Sequence, residues 1–597
     1  MTSPVGTVIV GAGFAGIAAA IALKRAGATD FVILERAESV GGTWRDNRYP
    51  GVACDVPAHL YALESHPWPE WSRTFAPGDE IRAYLERVVD AEGLRAHIRF
   101  GHALEDARWD GDRWEVRTGV RTSGLGDGRS VRTDPREHAP SDGRDIRADA
   151  RDHPPGATGA GGGTRKRSAG EASGASAPNQ APDAAPDGAS DDARGLRPAG
   201  LGGARMLRPA GPGDVLAGAA NGTAHPAPGR GGTIRAEHLV LACGRLSEPR
   251  IPHVPGLAGF HGPVFHSARW PDGLSVAGKR VAVVGTGASA VQLAPALADR
   301  GADVTVFQRT PAWIMPRGDR AHTDAERTEW RETAGALAEV RAELYADGEA
   351  RFASRSGDAA AAGAASRAAL AHLHAAVEDP HLRAALTPDY AFGCKRVLLS
   401  DEFYAAIGSG AVRLEPSALA AVDDGSLVAA SGARHDADIV VLATGFRATR
   451  QSYAPLVTGE HGTTLDEHWS GGFTAVASTL VHGFPNLFVL GGPNATLGHN
   501  SAVLLLEAQA ALAADLIADR AGAPVRVSAE AEREATAEVD EMAAGTPWLT
   551  GGCRNWYVDE RSGRLTLIWP STVAAFRERL DRVRSALLAP TASGGAR

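Results

Sequence analysis

Cysteine is sparse. The 597 residues hold four, Cys54, Cys243, Cys394 and Cys553, and no two stand in a C-x-x-C pair or at a zinc spacing. This excludes a dithiol redox centre of the thioredoxin type and a structural zinc site. No metal is expected, and a reduced, cytoplasmic setting is the default. Long apolar runs are also missing. The richest stretch, Val503 to Ile517, carries Glu507, Gln509 and Asp515, so nothing approaches the ~20 apolar residues of a membrane helix. Positive charge is not in excess: 62 Lys and Arg against 71 Asp and Glu give a net charge of -9, which speaks against a nucleic-acid partner. The first strand begins within a few residues of Met1, leaving no room for a signal peptide. Abundant Ala, Gly and Arg with little Lys reads as genomic bias rather than chemistry. The chain is long enough for several domains.

Two glycine-rich turns organise it. Thr7 to Val10 is a short apolar strand that runs into GAGFAG and an Ala-rich helix to about Ala26, and a second strand ends at Glu35. In such a unit Gly11 makes the tight turn, Gly13 lets the backbone approach a pyrophosphate, and Gly16 allows close helix–strand packing. The helix N-terminus faces the phosphates, and Glu35 stands where an acid binds ribose hydroxyls. The pattern repeats from Lys279 to Val284. Gly285, Thr286, Gly287, Ala288, Ser289 and Ala290 form the second turn, but the next strand ends in Gln308, Arg309 and Thr310 rather than in an acid. An arginine there favours a 2′-phosphate, so the second site is expected to take NADPH. The fold class is therefore α/β with two Rossmann-like dinucleotide domains.

The rest of the chain fits around these units. Thr74 to Asp90 reads as a helix, and Arg108 to Thr118 as a hairpin turning at Asp110-Gly111. Residues 119–232 are dense in Gly, Ala, Pro, Ser, Asp and Arg with almost no aromatics, a composition that reads as a disordered insertion. The basic cluster Arg165 to Arg167 within it reads as solvated. Residues 323–386, Ala-rich with charges at helical spacing, read as helices inserted into the second domain. Asp438 to Phe446 is a strand that returns the chain to the first domain, and a helix follows from about Ser501 to Ala521. The expected divisions are 1–118 for the first part of the first dinucleotide domain, 119–232 for the insertion, 233–276 for a return to that domain and a linker, 277–439 for the second, NADPH-binding domain and 440–597 for the rest of the first domain.

Between the two units lies FHGPVFHSARWP, with Phe260, Gly262, His266, Trp270 and Pro271 at the spacing F-x-G-x-x-x-H-x-x-x-W-P. It fits neither a helical face nor a strand's alternation and reads as a shaped connector. A second signature, GGTWRDNRYPGVACD, holds Gly42, Trp44, Tyr49, Pro50, Gly51 and Asp55. Together they resemble the fingerprints of type I Baeyer–Villiger monooxygenases, and the resemblance covers nearly all of the chain outside the insertion. It implies that Gly42, Thr43, Trp44, Asp55 and Tyr61 line FAD. Ala502 matches a flavin-contacting position that is often methionine, so only a backbone contact carries over. In YAFGCKRVLLS, Lys395 matches a cofactor-phosphate lysine and Arg396 a catalytic arginine, while Cys394 stands where many relatives have threonine. Asp55 would pair with Arg396, Arg309 and Lys395 would hold the 2′-phosphate, and Trp556 is a candidate pocket residue. His266 is then a linker residue that couples domain rotation to catalysis, not an acid–base catalyst.

The resemblance implies an NADPH- and O2-dependent FAD monooxygenase. In that family reduced flavin forms a C4a-peroxide that attacks a ketone, and the adduct rearranges to an ester or lactone. The partners implied are a small ketone, or a sulfide or amine, and dioxygen. The alternatives are a flavin monooxygenase that oxygenates nitrogen or sulfur, an NADPH oxidase that releases hydrogen peroxide, and a non-enzymatic flavoprotein. Substrate identity and oligomeric state stay open.

Overall fold

The computed structural model describes residues 4–120, 231–519 and 524–588. Nearly all of the low-complexity stretch, with its basic cluster, lies outside the described residues. The stretch connects neighbouring strand ends: Trp114–Val120 and Gly232–Leu241 run antiparallel with Thr118 opposite Gly232.

The first sheet has eight strands. Its order is Val457–Thr458, His102–Trp109, Trp114–Val120, Gly232–Leu241, Val5–Val10, Phe31–Glu35 and Ile98–Phe100, with Leu487–Val489 also paired to Gly232–Leu241. Val5–Val10 and Phe31–Glu35 pair in parallel, Thr7 opposite Phe31. They are continuous apolar runs because both faces of a parallel sheet are covered. One cover is the helix Phe14–Arg25, whose alanines allow close approach to the helix Ala502–Asp519. The hairpin forms as the sequence predicts. The Asp110 carboxylate accepts the amides of Asp112 and Arg113 at 2.9 and 2.7 Å and so fixes the turn.

The second sheet is fully parallel, in the order Val412–Glu415, Asp303–Phe307, Arg280–Val284, Ile439–Leu442, Val264–His266. Two expectations are corrected here. The strand around Ile439–Leu442 does not return to the first domain but sits inside the second sheet, and the first sheet is rejoined only at Val457–Thr458 and Leu487–Val489. The fingerprint is also more than a connector, since its Val264–His266 forms the edge strand. Three apolar-edged residues are too few for alternation to show in the sequence. Gly262 lies just before that strand, where a Cβ would stand 2.1 Å from the Asp438 carbonyl oxygen, so only glycine lets the connector pass.

The helix expected from Thr74 begins later, at Gly78, and ends at Ala91. Pro77 is its N-cap, and a proline disfavours helical backbone in the residue before it. The helical insertion is present as Asp324–Glu332, Ala336–Ala350, Ala359–Ala376 and Pro380–Leu386. Each polar boundary has a local cause. Thr323 and Glu326 form a capping box, Asp358 caps the third helix, and Asp379 caps the fourth with Pro380 in its first turn. Among the described residues no helix is long and apolar enough to cross a membrane.

Candidate active site

The first cradle forms where Val5–Val10 turns into Phe14–Arg25. A Cβ on Gly16 would stand 1.9 Å from the Gly11 carbonyl oxygen, so glycine is what brings the helix N-terminus to the strand end. Gly13 is the N-cap, and the first turn carries no acid, which leaves the positive end of the helix dipole to an anion. Glu35 is buried, and its oxygens accept the Ala12 amide, the Ala37 amide and Arg45 Nη1, each at 2.9 Å. The acid expected at a sugar thus also fastens the glycine turn, with one of its roughly four acceptor sites left over.

Gly42 precedes the short helix Thr43–Asp46, which carries Trp44 inward. Trp44 is buried, and its indole N–H has no acceptor of hydrogen-bonding geometry. Tyr61 meets it edge-on at 5.6 Å and meets Phe14 edge-on at 5.1 Å. An orphaned buried donor among aromatic rings suits the polar edge of a flat ring system, because buried donors are normally paired. Ala502 is the first residue of the helix Ala502–Asp519, whose first turn also lacks an acid. This side of the structure fits a flavin dinucleotide.

The second cradle has Gly287 as the N-cap of Ala288–Ala298. A Cβ on Gly287 would meet nothing within 4 Å, so there is room against the backbone. Thr286 Oγ1 donates to the Thr310 carbonyl at 2.8 Å and ties the turn to the neighbouring strand end. Ala290 is buried in the core beneath. Arg309 is exposed, and Lys395 is close enough to it that burial and then Arg309 lower the lysine's pKa. Lys395 Nζ lies over the Tyr390 ring at 4.7 Å. Two neighbouring cations beside an open helix N-terminus fit a phosphorylated ribose. The two cradles are stitched together by the long signature. Gln292 accepts the Tyr49 hydroxyl at 3.2 Å and donates to the Ala53 carbonyl at 3.0 Å.

Arg396 and Asp55, distant in sequence, meet between the cradles. Arg396 Nε and Nη2 donate to Asp55 Oδ2 at 2.9 and 2.6 Å, and Nη1 approaches the Leu497 carbonyl at 3.4 Å. Asp55 raises the pKa of the guanidinium, outweighing its burial, so the group is a fixed cation. The two side chains are only partly covered, keeping 29% and 24% of their surface exposed. His266 is buried, with Nε2 donating to the Gly445 carbonyl at 2.9 Å and Nδ1 accepting the Ala268 amide at 3.1 Å. Burial lowers it to about 4. A neutral imidazole with both nitrogens engaged holds the linker to the second domain. Of the other fingerprint residues, Trp270 packs edge-on against Phe265 at 5.2 Å, while Phe260 packs in the cluster beneath the second sheet.

The centre also holds a covalent link that the sequence does not announce. Cys394 and Cys553 are joined in a disulfide across 159 residues of sequence, with Cα atoms 6.2 Å apart. Reduced thiols remain only at Cys54 and Cys243. No C-x-x-C spacing could announce this pairing, because only the fold brings the two residues together. The bridge fixes the residue before Lys395-Arg396 to the C-terminal segment that carries Trp556 and Tyr557.

Sequence reading also misses Arg355 and Tyr557 beside Arg396, and Arg245, which senses Tyr557. Arg355, from the helical insertion, donates to the Arg351 carbonyl at 3.0 Å, and burial together with Arg396 lowers it to about 10. Arg245 donates to the Ala495 and Leu567 carbonyls at 2.7 and 3.2 Å and is pushed down to about 10 by burial. Tyr557 is fully buried and senses Arg396 and Arg355, while Arg245 senses it in turn. Arg245 had a signal, since it stands four residues beyond the end of Gly232–Leu241 in the first sheet, and ligands of such sheets bind near strand ends. Arg355 had none within its Ala-rich surroundings.

Residues 9–76 match the family of NAD(P)-binding Rossmann-like domains, and residues 214–335 match the pyridine nucleotide-disulphide oxidoreductases. With two cradles around one cation, the fold and site define an oxidoreductase of the two-dinucleotide class. A Baeyer-Villiger monooxygenase of Streptomyces coelicolor is 37% identical over 581 residues, 96% of this chain and 90% of that one. Another, of Pseudomonas aeruginosa, is 31% identical over 95% of this chain and 88% of that one. The chain belongs to the Baeyer–Villiger monooxygenase family. Among solved structures, an oxidized steroid monooxygenase bound to NADP matches with a TM-score of 0.69 at 26% identity, over 98% of this chain and 99% of that one.

Proposed function

We propose that this chain uses FAD and NADPH to insert one atom of dioxygen beside the carbonyl of a small ketone, giving an ester or lactone. The observation that carries the reading is the Arg396–Asp55 pair, a permanent cation anchored on one edge by the carboxylate and lying between the two dinucleotide cradles. Bound flavin would supply the redox chemistry, taking hydride from NADPH and delivering oxygen to the substrate. The chain's own residues would do the rest. Gly11, Gly13 and Gly16 would hold the FAD pyrophosphate at the helix N-terminus, with Glu35 toward the sugar and Gly42, Thr43, Trp44, Tyr61 and Ala502 around the rings. Gly285 to Ala290 would hold the NADPH pyrophosphate, and Arg309, Thr310 and Lys395 its ribose phosphate.

Arg396 would face the carbonyl oxygen as negative charge builds on it. A fixed cation in a site shielded from water is worth most at that moment, on the order of 10²–10³ in rate for a single preorganised donor. Arginine serves without gaining or losing a proton. Asp55 keeps the guanidinium from rotating and tunes its field. The linker Phe260 to Pro271, locked by His266, would carry motion between the two domains.

The test is product mass from purified enzyme, NADPH, a panel of cyclic and aryl ketones and isotopically heavy dioxygen. An ester or lactone with one heavy oxygen supports the reading. Labelled sulfoxide or N-oxide alone, from sulfide and amine controls, replaces it with heteroatom oxygenation. Peroxide with no organic product across the panel replaces it with an NADPH oxidase.

A further inference from the structure

Tyr557 has 0% exposure, yet its hydroxyl has no partner of hydrogen-bonding geometry in the protein. It stands among cations. Burial pushes its pKa up, while Arg396 and then Arg355 draw it down, and Arg245 also senses it. The net direction is upward, so the phenol is neutral at physiological pH. The ring cannot wander: Trp556 lies 4.5 Å away and Trp548 stands edge-on at 6.5 Å. The backbone is tied on both sides, with the amide donating to Asn555 Oδ1 and the carbonyl accepting from the Thr566 amide, each at 3.0 Å.

A guanidinium has only N–H donors, so a phenol oxygen beside it can act toward it only as an acceptor. Arg396 spends Nε and Nη2 on a single oxygen of Asp55, while Nη1 has only the 3.4 Å contact to the Leu497 carbonyl. The Tyr557 oxygen is the unspent acceptor beside this cation. Buried polar atoms without partners are rare in folded proteins and mark function when they occur. We infer that Tyr557 is a second positioning residue for Arg396, holding the guanidinium from the side that Asp55 leaves free. This rests on the reading of Arg396 as the cation used in oxygenation.

The test is Tyr557→Phe in the holoenzyme, assayed with whichever screened ketone gives most ester, alone and combined with Arg396→Lys. Loss of a hydrogen bond to a charged group predicts a fall of about 10-fold in kcat for ester, with KM for the ketone unchanged and more peroxide released per NADPH. The thermal midpoint is expected to move little, because Phe keeps the ring and its packing against Trp556 and Trp548. In the Arg396→Lys background the effect of Tyr557→Phe should vanish, the signature of one residue acting through another. Unchanged kcat and product partition in Tyr557→Phe, with a strong loss in Arg396→Lys, overturns this inference and leaves the role of Arg396 standing. A lowered midpoint with a loss of activity that persists beside Arg396→Lys overturns it in favour of a structural hydroxyl. No loss in either single variant overturns the reading of Arg396 itself.

Discussion

Breaking the Cys394–Cys553 bridge, by reduction or by Cys553→Ser, should weaken both stability and coupling. The bridge closes a loop of 159 residues. The chain-entropy relation gives about 5 kcal/mol for a loop of that length, and native disulfides commonly deliver about 2–5 kcal/mol. The functional effect follows from place rather than from entropy. Cys394 directly precedes Lys395 and Arg396, and Cys553 shares a segment with Trp556 and Tyr557. Releasing the bridge lets the cation and the groups around it drift, and small misplacements of a positioned group cost rate steeply. Cys553 also lines a surface cleft with Trp548, Arg554 and Asn555, so a small thiol reductant has a route to it. The assay is thermal unfolding with and without reductant, together with ester formed per NADPH oxidised. Thiol titration of the denatured, unreduced protein checks the premise: two free thiols are expected. Four free thiols, or an unchanged midpoint and yield after full reduction, would refute the argument.

Arg309→Ala should raise KM for NADPH about 10–100-fold, the equivalent of a charge-assisted hydrogen bond, and barely move KM for NADH. Steady-state kinetics with both coenzymes check it, and an equal effect on both would separate Arg309 from the phosphate. His266 makes folding acid-sensitive. Its folded pKa of about 4 lies below the ~6.5 of an unfolded histidine, so between these values the unfolded state binds the extra proton. Stability from this group is therefore full above pH ~6.5 and lost as pH falls toward 4, about 3 kcal/mol in total. Denaturant midpoints against pH should show this slope in the native protein, and His266→Gln should flatten it.

The sequence carried the parts of the site that depend on local chain geometry. The glycine turns at Gly11 and Gly285 are legible because a strand, a tight turn and a helix N-terminus need those residues in that order. The swap of an acid for Arg309 is legible because charge at one strand end selects the phosphate. The role of Asp55 and Arg396 came through family resemblance, and the bond between them is a product of the tertiary fold. What escaped is what only packing decides. Val264–His266 is too short to alternate, so its place at the edge of the second sheet could not be read. Ile439–Leu442 reads as a strand in either domain, since both sheets bury such runs on two faces. The disulfide joins residues with no shared motif, and the cations Arg245 and Arg355 gather around Tyr557 from separate elements.

The central claim is that Arg396 acts in oxygenation and not in the transfer of electrons from NADPH to flavin. Arg396→Ala, purified with FAD bound, should be followed by rapid mixing with NADPH without oxygen, and then by product analysis with oxygen and ketone. Flavin should still be reduced while ester formation falls by at least about 10², with NADPH use diverted to peroxide. Ester formation at the native rate in that variant would contradict it.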